Sequence, residues 1–117
     1  DRFIINSGNT IPATAMVRLS RGGENLEDVA AGDGPIDAAF KAVEKIVGRS
    51  FTLEDFRLSA VTGGEDAQGE AVLRLRDGSA RTSGRGVSTD VVEAGILAYL
   101  NAVNRMPEPA SRPGERP

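Results

Sequence analysis

GRGVSTDVVEAGILAYLNAVNR, residues 84–105, is the stretch whose reading decides the fold. It opens with Gly-Arg-Gly and continues as an amphipathic segment, with Val92, Ile96, Tyr99, Leu100 and Val103 along one helical stripe. Asp90 and Glu93 fall in the first turn, where the positive end of the helix dipole favours acids. Val91, Ala94, Leu97, Ala98 and Ala102 widen the stripe almost all the way round. The spacing therefore predicts a helix over residues 89–104 that is covered on two sides, by a sheet and by something else. The same device stands earlier, in GDGPIDAAFKAVEKIVG at residues 32–48. Pro35 suits a first helical position, because its missing N–H would be unpaired there anyway. Ile36, Ala39, Phe40, Val43, Ile46 and Val47 keep helical spacing, and Gly48 is a natural stop.

Each helix follows strand-like runs. Residues 2–6 read as a short strand ending at a Gly8-Asn9 turn, and residues 12–19, PATAMVRL, alternate cleanly. RGGEN is a turn and residues 25–31 a third strand. In the second half a strand is centred on residues 56–61, and the Gly-rich loop TGGEDAQG spans 62–69. Residues 70–76 alternate again, with VLRL at 72–75 echoing MVRL at 16–19. Asp77-Gly78 signals a hairpin, and residues 79–84 give the last strand. The plan is strand–strand–strand–helix, twice, at an offset of about fifty residues.

The fold class is thus α+β: two pseudo-symmetric βββα units with antiparallel sheets packed against helices. The apolar second helix makes a domain-level homodimer the expected way to hide its remaining surface. One domain of residues 1–106 contains the repeats, about 1–49 and 50–106. PEPASRPGERP, residues 107–117, holds four of the six prolines and is expected to be a disordered tail.

Composition narrows the chemistry. The 117 residues contain no Cys and no His, which removes Cys nucleophiles, His bases and the usual zinc ligands. The absence of Cys fits a cytoplasmic location. Net charge is −3 without a basic cluster or aromatic platform, so no nucleic acid is expected as partner. No apolar run reaches the ~18–20 residues of a membrane span, so no membrane is expected either. A start at Asp1 suggests a piece of a longer protein.

The Gly-X-Gly segments are the candidate sites. A helix N-terminus carries unpaired N–H groups and partial positive charge, and glycine lets a small anion approach the backbone. The other reading is that Gly32, Gly34, Gly84 and Gly86 only cap helices and form turns; spacing alone leaves both open. Neither segment continues as a phosphate loop, so a carboxylate is the better ligand. The acidic pairs Glu54-Asp55 and Glu65-Asp66 read as solvated surface, as do Arg74 and Arg76. Arg85 reads as a turn residue that faces solvent or pairs with a carboxylate.

SGNTIPATAMVRL (7–19), GDGPIDAAFKAVEKIVG (32–48), LSAVTGGEDAQGEAVLRL (58–75) and GRGVSTDVVEAGILAYLNAVNR (84–105) together resemble the C-terminal regulatory domain of the 2-isopropylmalate synthases. Gly95 departs from the small polar residue, such as Ser, that the resemblance leads one to expect. The resemblance implies paired βββα units, a homodimer through this domain, and leucine as allosteric feedback effector of leucine biosynthesis. It also implies a separate catalytic barrel that condenses acetyl-CoA with 2-oxoisovalerate, an acyltransferase using a divalent metal held outside this chain. This chain would itself be non-catalytic and without cofactor. Carried over, the effector pocket takes Gly32, Asp33, Gly34, Pro35, Ile36 and Asp37, with backbone N–H groups toward the carboxylate and the Asp33 side chain toward the ammonium. Leu53, Phe56 and Ala60 line its apolar part, and Ala67, in the following loop, closes it. Gly84, Gly86, Ser88, Thr89 and Asp90 form the counterpart at the second helix. The alternatives are an isoleucine-sensing regulatory domain of the citramalate synthases and a dimerisation scaffold without effector.

Overall fold

The computed structural model describes residues 2–11, 14–62 and 67–107, with backbone alone at 7–11, 61, 62 and 67. The order is β1 (Ile4–Ile11), β2 (Thr14–Arg21), β3 (Glu24–Ala31), α1 (Pro35–Val47), β4 (Thr52–Thr62), β5 (Ala67–Asp77), β6 (Ala80–Ser88) and α2 (Val91–Arg105). The βββα plan read from the sequence is present twice. The strands form two separate antiparallel sheets, β1-β2-β3 and β4-β5-β6.

Alternation decides which sheet face is buried. Ala15, Val17 and Leu19 of β2 point at α1, and Ala71, Leu73 and Leu75 of β5 point at α2. The intervening Arg18, Val72 and Arg74 stay exposed. Equivalent positions identify the repeat: Val17 and Leu19 answer Leu73 and Leu75, and Pro35 answers Val91. The first strands also match, since each carries a bulge at the same place, between Ile5 and Ser7 and between Leu53 and Asp55. The repeat offset is therefore not constant, because β4 and β5 are each 11 residues long where β1 and β2 are 8.

Three boundaries differ from expectation, each because glycine was read as a turn. Gly8 and Asn9 do not turn; they pair in β1 with Val17 and Met16. The segment 62–69 is strand at both ends, since β4 runs to Thr62 and β5 starts at Ala67, and its residues 63–66 lie outside the described residues. Gly84 and Gly86 lie inside β6, not at a helix start. The expected tail, 107–117, lies beyond Pro107 outside the described residues, as does the Glu65-Asp66 pair.

The two units share one core. Phe40 of α1 stacks on Tyr99 of α2 at 4.2 Å and meets Phe56 of β4 edge-on at 5.8 Å. Burial pushes the Tyr99 hydroxyl far above its ordinary pKa, helped by the Glu44 carboxylate to which it hydrogen-bonds. Glu44 also accepts from the Phe51 N–H at 2.9 Å, so one carboxylate ties α1, the linker and α2. Asn104 of α2 clamps the start of β1: its Oδ1 accepts from Phe3 N–H and its Nδ2 donates to Phe3 C=O, both at 2.8 Å. Within the chain α2 already has partners on more than one side. β5, β6, α1 and β1 of its own chain cover it. Among the described residues the exposed large hydrophobics are Ile4, Val29, Leu53, Leu58, Val72 and, at the first position of α2, Val91.

Candidate functional site

The structural repeat pairs Gly32-Asp33-Gly34 with Ser88-Thr89-Asp90, the residues just before each helix. These two helix starts are chemically different. Asp90 caps α2, its Oδ1 accepting from Val92 N–H at 2.9 Å and Glu93 N–H at 3.4 Å. Ser88 braces the turn, accepting from Asp90 N–H at 3.1 Å and donating to Glu93 Oε1 at 2.5 Å. At α1 the N-cap is Gly34, which has no side chain to offer and makes no side-chain cap bond. An anion arriving at α1 meets N–H groups that no cap occupies; at α2 it meets Asp90.

The α1 start is nonetheless partly furnished by its own chain. Asp37 accepts from the Asp33 N–H at 2.9 Å and pairs with Lys41 at 3.1 Å. The first of these bonds, with Lys41 second, holds the Asp37 carboxyl below its ordinary pKa. The Asp33 N–H, expected to face an effector carboxylate, is therefore already engaged by Asp37. Gly32 is needed for packing, since a Cβ there would lie 2.6 Å from Ala38 N.

Apolar residues of both units converge beside this start. A Cβ placed on Gly95 of α2 would sit 3.7 Å from Phe56 Cζ and 3.8 Å from Ile36 Cδ1. Phe56, Leu58 and Ala60 share one face of β4, opposite Leu73, Ala71 and Gly69. Val91 lies one turn before Gly95 on the same face of α2. Between them runs a groove of about 400 Å³ lined by Leu58, Ala60, Gln68, Gly69, Thr89 and Val91. A larger open groove, about 590 Å³, lies at the other end of α1 around Lys41, Lys45 and Arg49. Each of those cations already holds a carboxylate, Asp37, Asp28 and Asp77. Only alanines supply it with an apolar wall, so the β4–α2 groove is the better candidate.

Ile36 and Phe56 thus both approach Gly95, and Ala60 and Thr89 line one groove. Leu53 does not join them; it pairs with Leu75 toward the other end of β4, beyond the bulge. Ala67 is the first residue of β5, not part of a loop. Gly84 and Gly86 are buried under α2, where a Cβ would lie 2.0 Å from Ala98 O and 2.3 Å from Ala94 O, respectively. They let strand and helix backbones touch and are closed to a ligand. Leu58, Gly69, Val91 and Gly95 were not anticipated. For Leu58 the signal was available, since it alternates with Phe56 and Ala60.

The acidic and basic surface residues pair among themselves. Glu54 bridges Arg76 (3.0 Å) and Arg81 (3.2 Å), Asp55 meets Arg57 at 3.3 Å, and Arg85 pairs with Glu70 across β5 and β6. Among the described residues no helix is long and apolar enough to cross a membrane.

Comparison with known proteins agrees with this architecture. The sequence model of the LeuA allosteric (dimerisation) domain matches residues 1–107. The chain belongs to that family. Similar curated proteins include a 2-isopropylmalate synthase of Carboxydothermus hydrogenoformans, 51% identical over 91% of this chain and 21% of the relative. One of Heliobacterium modesticaldum is 49% identical over 87% of this chain and 20% of the relative. One of Ruminiclostridium cellulolyticum is 46% identical over 90% and 21%. The chain spans about a fifth of the length of these relatives. In this LeuA allosteric domain the helix start without a side-chain cap, at α1, lies beside the apolar junction of Ile36 and Phe56.

Proposed function

We propose that this chain is the leucine-binding regulatory domain of a 2-isopropylmalate synthase. In this reading the domain pairs with a second copy of itself and passes feedback inhibition to a catalytic barrel that condenses acetyl-CoA with 2-oxoisovalerate. The carrying observation is the convergence of Ile36, from the uncapped helix start, with Phe56, from the other unit, at Gly95. A branched-chain amino acid needs a cradle for its carboxylate and an apolar slot a few ångströms away. The open α1 start supplies the first and the Ile36–Phe56–Val91 wall the second. Asp33, exposed at the rim, serves the ammonium group. The names of the relatives and the family description support the pathway assignment.

Inhibition then follows from linkage. Leucine must bind the less active arrangement of the enzyme better, and a coupling of ~1–3 kcal/mol between the sites is ordinary. Isothermal titration with leucine, with isoleucine and valine as controls and a sizing run alongside, tests the reading. Saturable leucine-selective binding by a dimer is expected. Selectivity for isoleucine would move the chain to the citramalate synthases, and a folded dimer that gives no heat would leave a scaffold.

A further inference from the structure

Gly84, Gly86 and Gly95 lie against or within α2, and packing explains two of them. Gly84 and Gly86 are required because a Cβ on either would strike the helix backbone. Gly95 is different. A Cβ there would stand 3.7 Å from Phe56 Cζ and 3.8 Å from both Ile36 Cδ1 and Ile36 Cγ2, ordinary contact distances. Alanine fits, and alanine is the better helix former. Packing alone therefore favours a side chain where this chain has none. The space left is the size of one methyl group and is walled by the two apolar residues that the effector reading brings together. It lies one helical turn from Val91, which lines the β4–α2 groove.

We propose that Gly95 sets the depth of the effector groove, its missing side chain leaving room between Ile36 and Phe56 for the terminal branch of the bound amino acid. This rests on the leucine reading above. A methylene added to or removed from an apolar slot changes discrimination by roughly 10–200-fold. Filling the slot should therefore act on longer side chains and spare shorter ones.

The test is calorimetric titration of the parent protein and of Gly95→Ala with leucine and with valine, whose side chain is one carbon shorter. Gly95→Ala should weaken leucine about tenfold or more while valine changes less than about threefold, so the leucine-to-valine ratio collapses. A melting temperature at or above the parent's confirms that the variant is folded. Ile36→Val, which trims the opposite wall by a methyl, should move preference the other way, toward the longer side chain of methionine. Ratios unchanged in both variants overturn the proposal while leaving the leucine reading intact. A parent protein that binds neither leucine nor valine overturns the leucine reading, and the proposal falls with it.

Discussion

Replacing Gly84, Gly86 or Gly95 by alanine adds the same methyl group at three places against or within one helix, and the structure requires opposite outcomes. At Gly84 the new Cβ would stand 2.0 Å from Ala98 O and 2.6 Å from Ala102 N; at Gly86, 2.3 Å from Ala94 O and 2.6 Å from Ala98 N. These neighbours are backbone atoms of a continuous helix and cannot rotate away. To restore even a 3.0 Å separation α2 must retreat by about 1 Å, which loosens its contacts with Leu73 and Leu75 along its length. Overpacking plus lost contact should cost about 3 kcal/mol or more. With a urea slope of roughly 1–3 kcal/mol per molar, the midpoint falls by about 1–3 M. At Gly95 the methyl group makes only ordinary contacts and helix propensity improves, so stability should rise by about 0.5–1 kcal/mol. Urea unfolding followed by far-ultraviolet circular dichroism reads all three variants. Parent-like stability in Gly86→Ala would refute the close approach of β6 to α2. Were such a variant also to lose leucine binding, Gly84 and Gly86 would belong to the effector site after all. A loss above about 1 kcal/mol in Gly95→Ala would refute the methyl-sized space.

Asp90→Ala removes the cap that pairs with Val92 and Glu93 N–H and should cost about 1 kcal/mol by urea unfolding; an unchanged midpoint would mean the cap bond is not made. Tyr99→Phe keeps the ring stacked on Phe40 but deletes the hydroxyl bonded to Glu44, with an expected loss of about 1–2 kcal/mol; stability equal to the parent would sink the role assigned to that bond. The Asp37 carboxyl is held below its ordinary 3.8 in the fold, first by the Asp33 N–H and then by Lys41. A depressed folded pKa contributes stability that is present above the unfolded value and lost as pH falls through the folded one. The parent's melting temperature should therefore drop more steeply below pH about 4 than that of Asp37→Asn, and parallel curves would contradict the bond.

The parts of the fold legible in the sequence were those governed by period. Ala13, Ala15, Val17 and Leu19 alternate, and Ala15, Val17 and Leu19 are buried on one face. Ile36, Phe40, Val43 and Val47 recur at helical spacing, and α1 runs from Pro35 to Val47 as read. Glycine was where reading failed, because one residue type serves unlike purposes. Gly48 does end α1, in the left-handed conformation with φ 78°. Gly8 sits in mid-strand, and Gly84 and Gly86 permit a helix to lie on a strand. That last use depends on which residues face them across a tertiary contact, which local sequence does not contain. The candidate site was half legible for the same reason. Ile36 and Phe56 were named from separate segments by the family resemblance, but their approach to Gly95 and the groove along Val91 are products of packing between the two units.

The repeat explains why one helix start suits a ligand and the other does not. In the second unit Ser88, Thr89 and Asp90 precede the helix, and Asp90 supplies the negative charge that the helix dipole favours. In the first unit Gly32, Asp33 and Gly34 stand there, and Gly34 offers no cap. Helix α1 keeps part of its dipole unanswered except by Asp37 from within its first turn. Capping α1 as α2 is capped would be worth roughly a few tenths of a kcal/mol, since glycine is itself a tolerated N-cap, so Gly34 forgoes a little stability that the second unit retains. Both departures from best helix chemistry, Gly34 at the α1 start and Gly95 inside α2, border the junction where Ile36 meets Phe56. Local stability is thus given up on two elements at one place, as expected of a site kept open for a ligand that completes it.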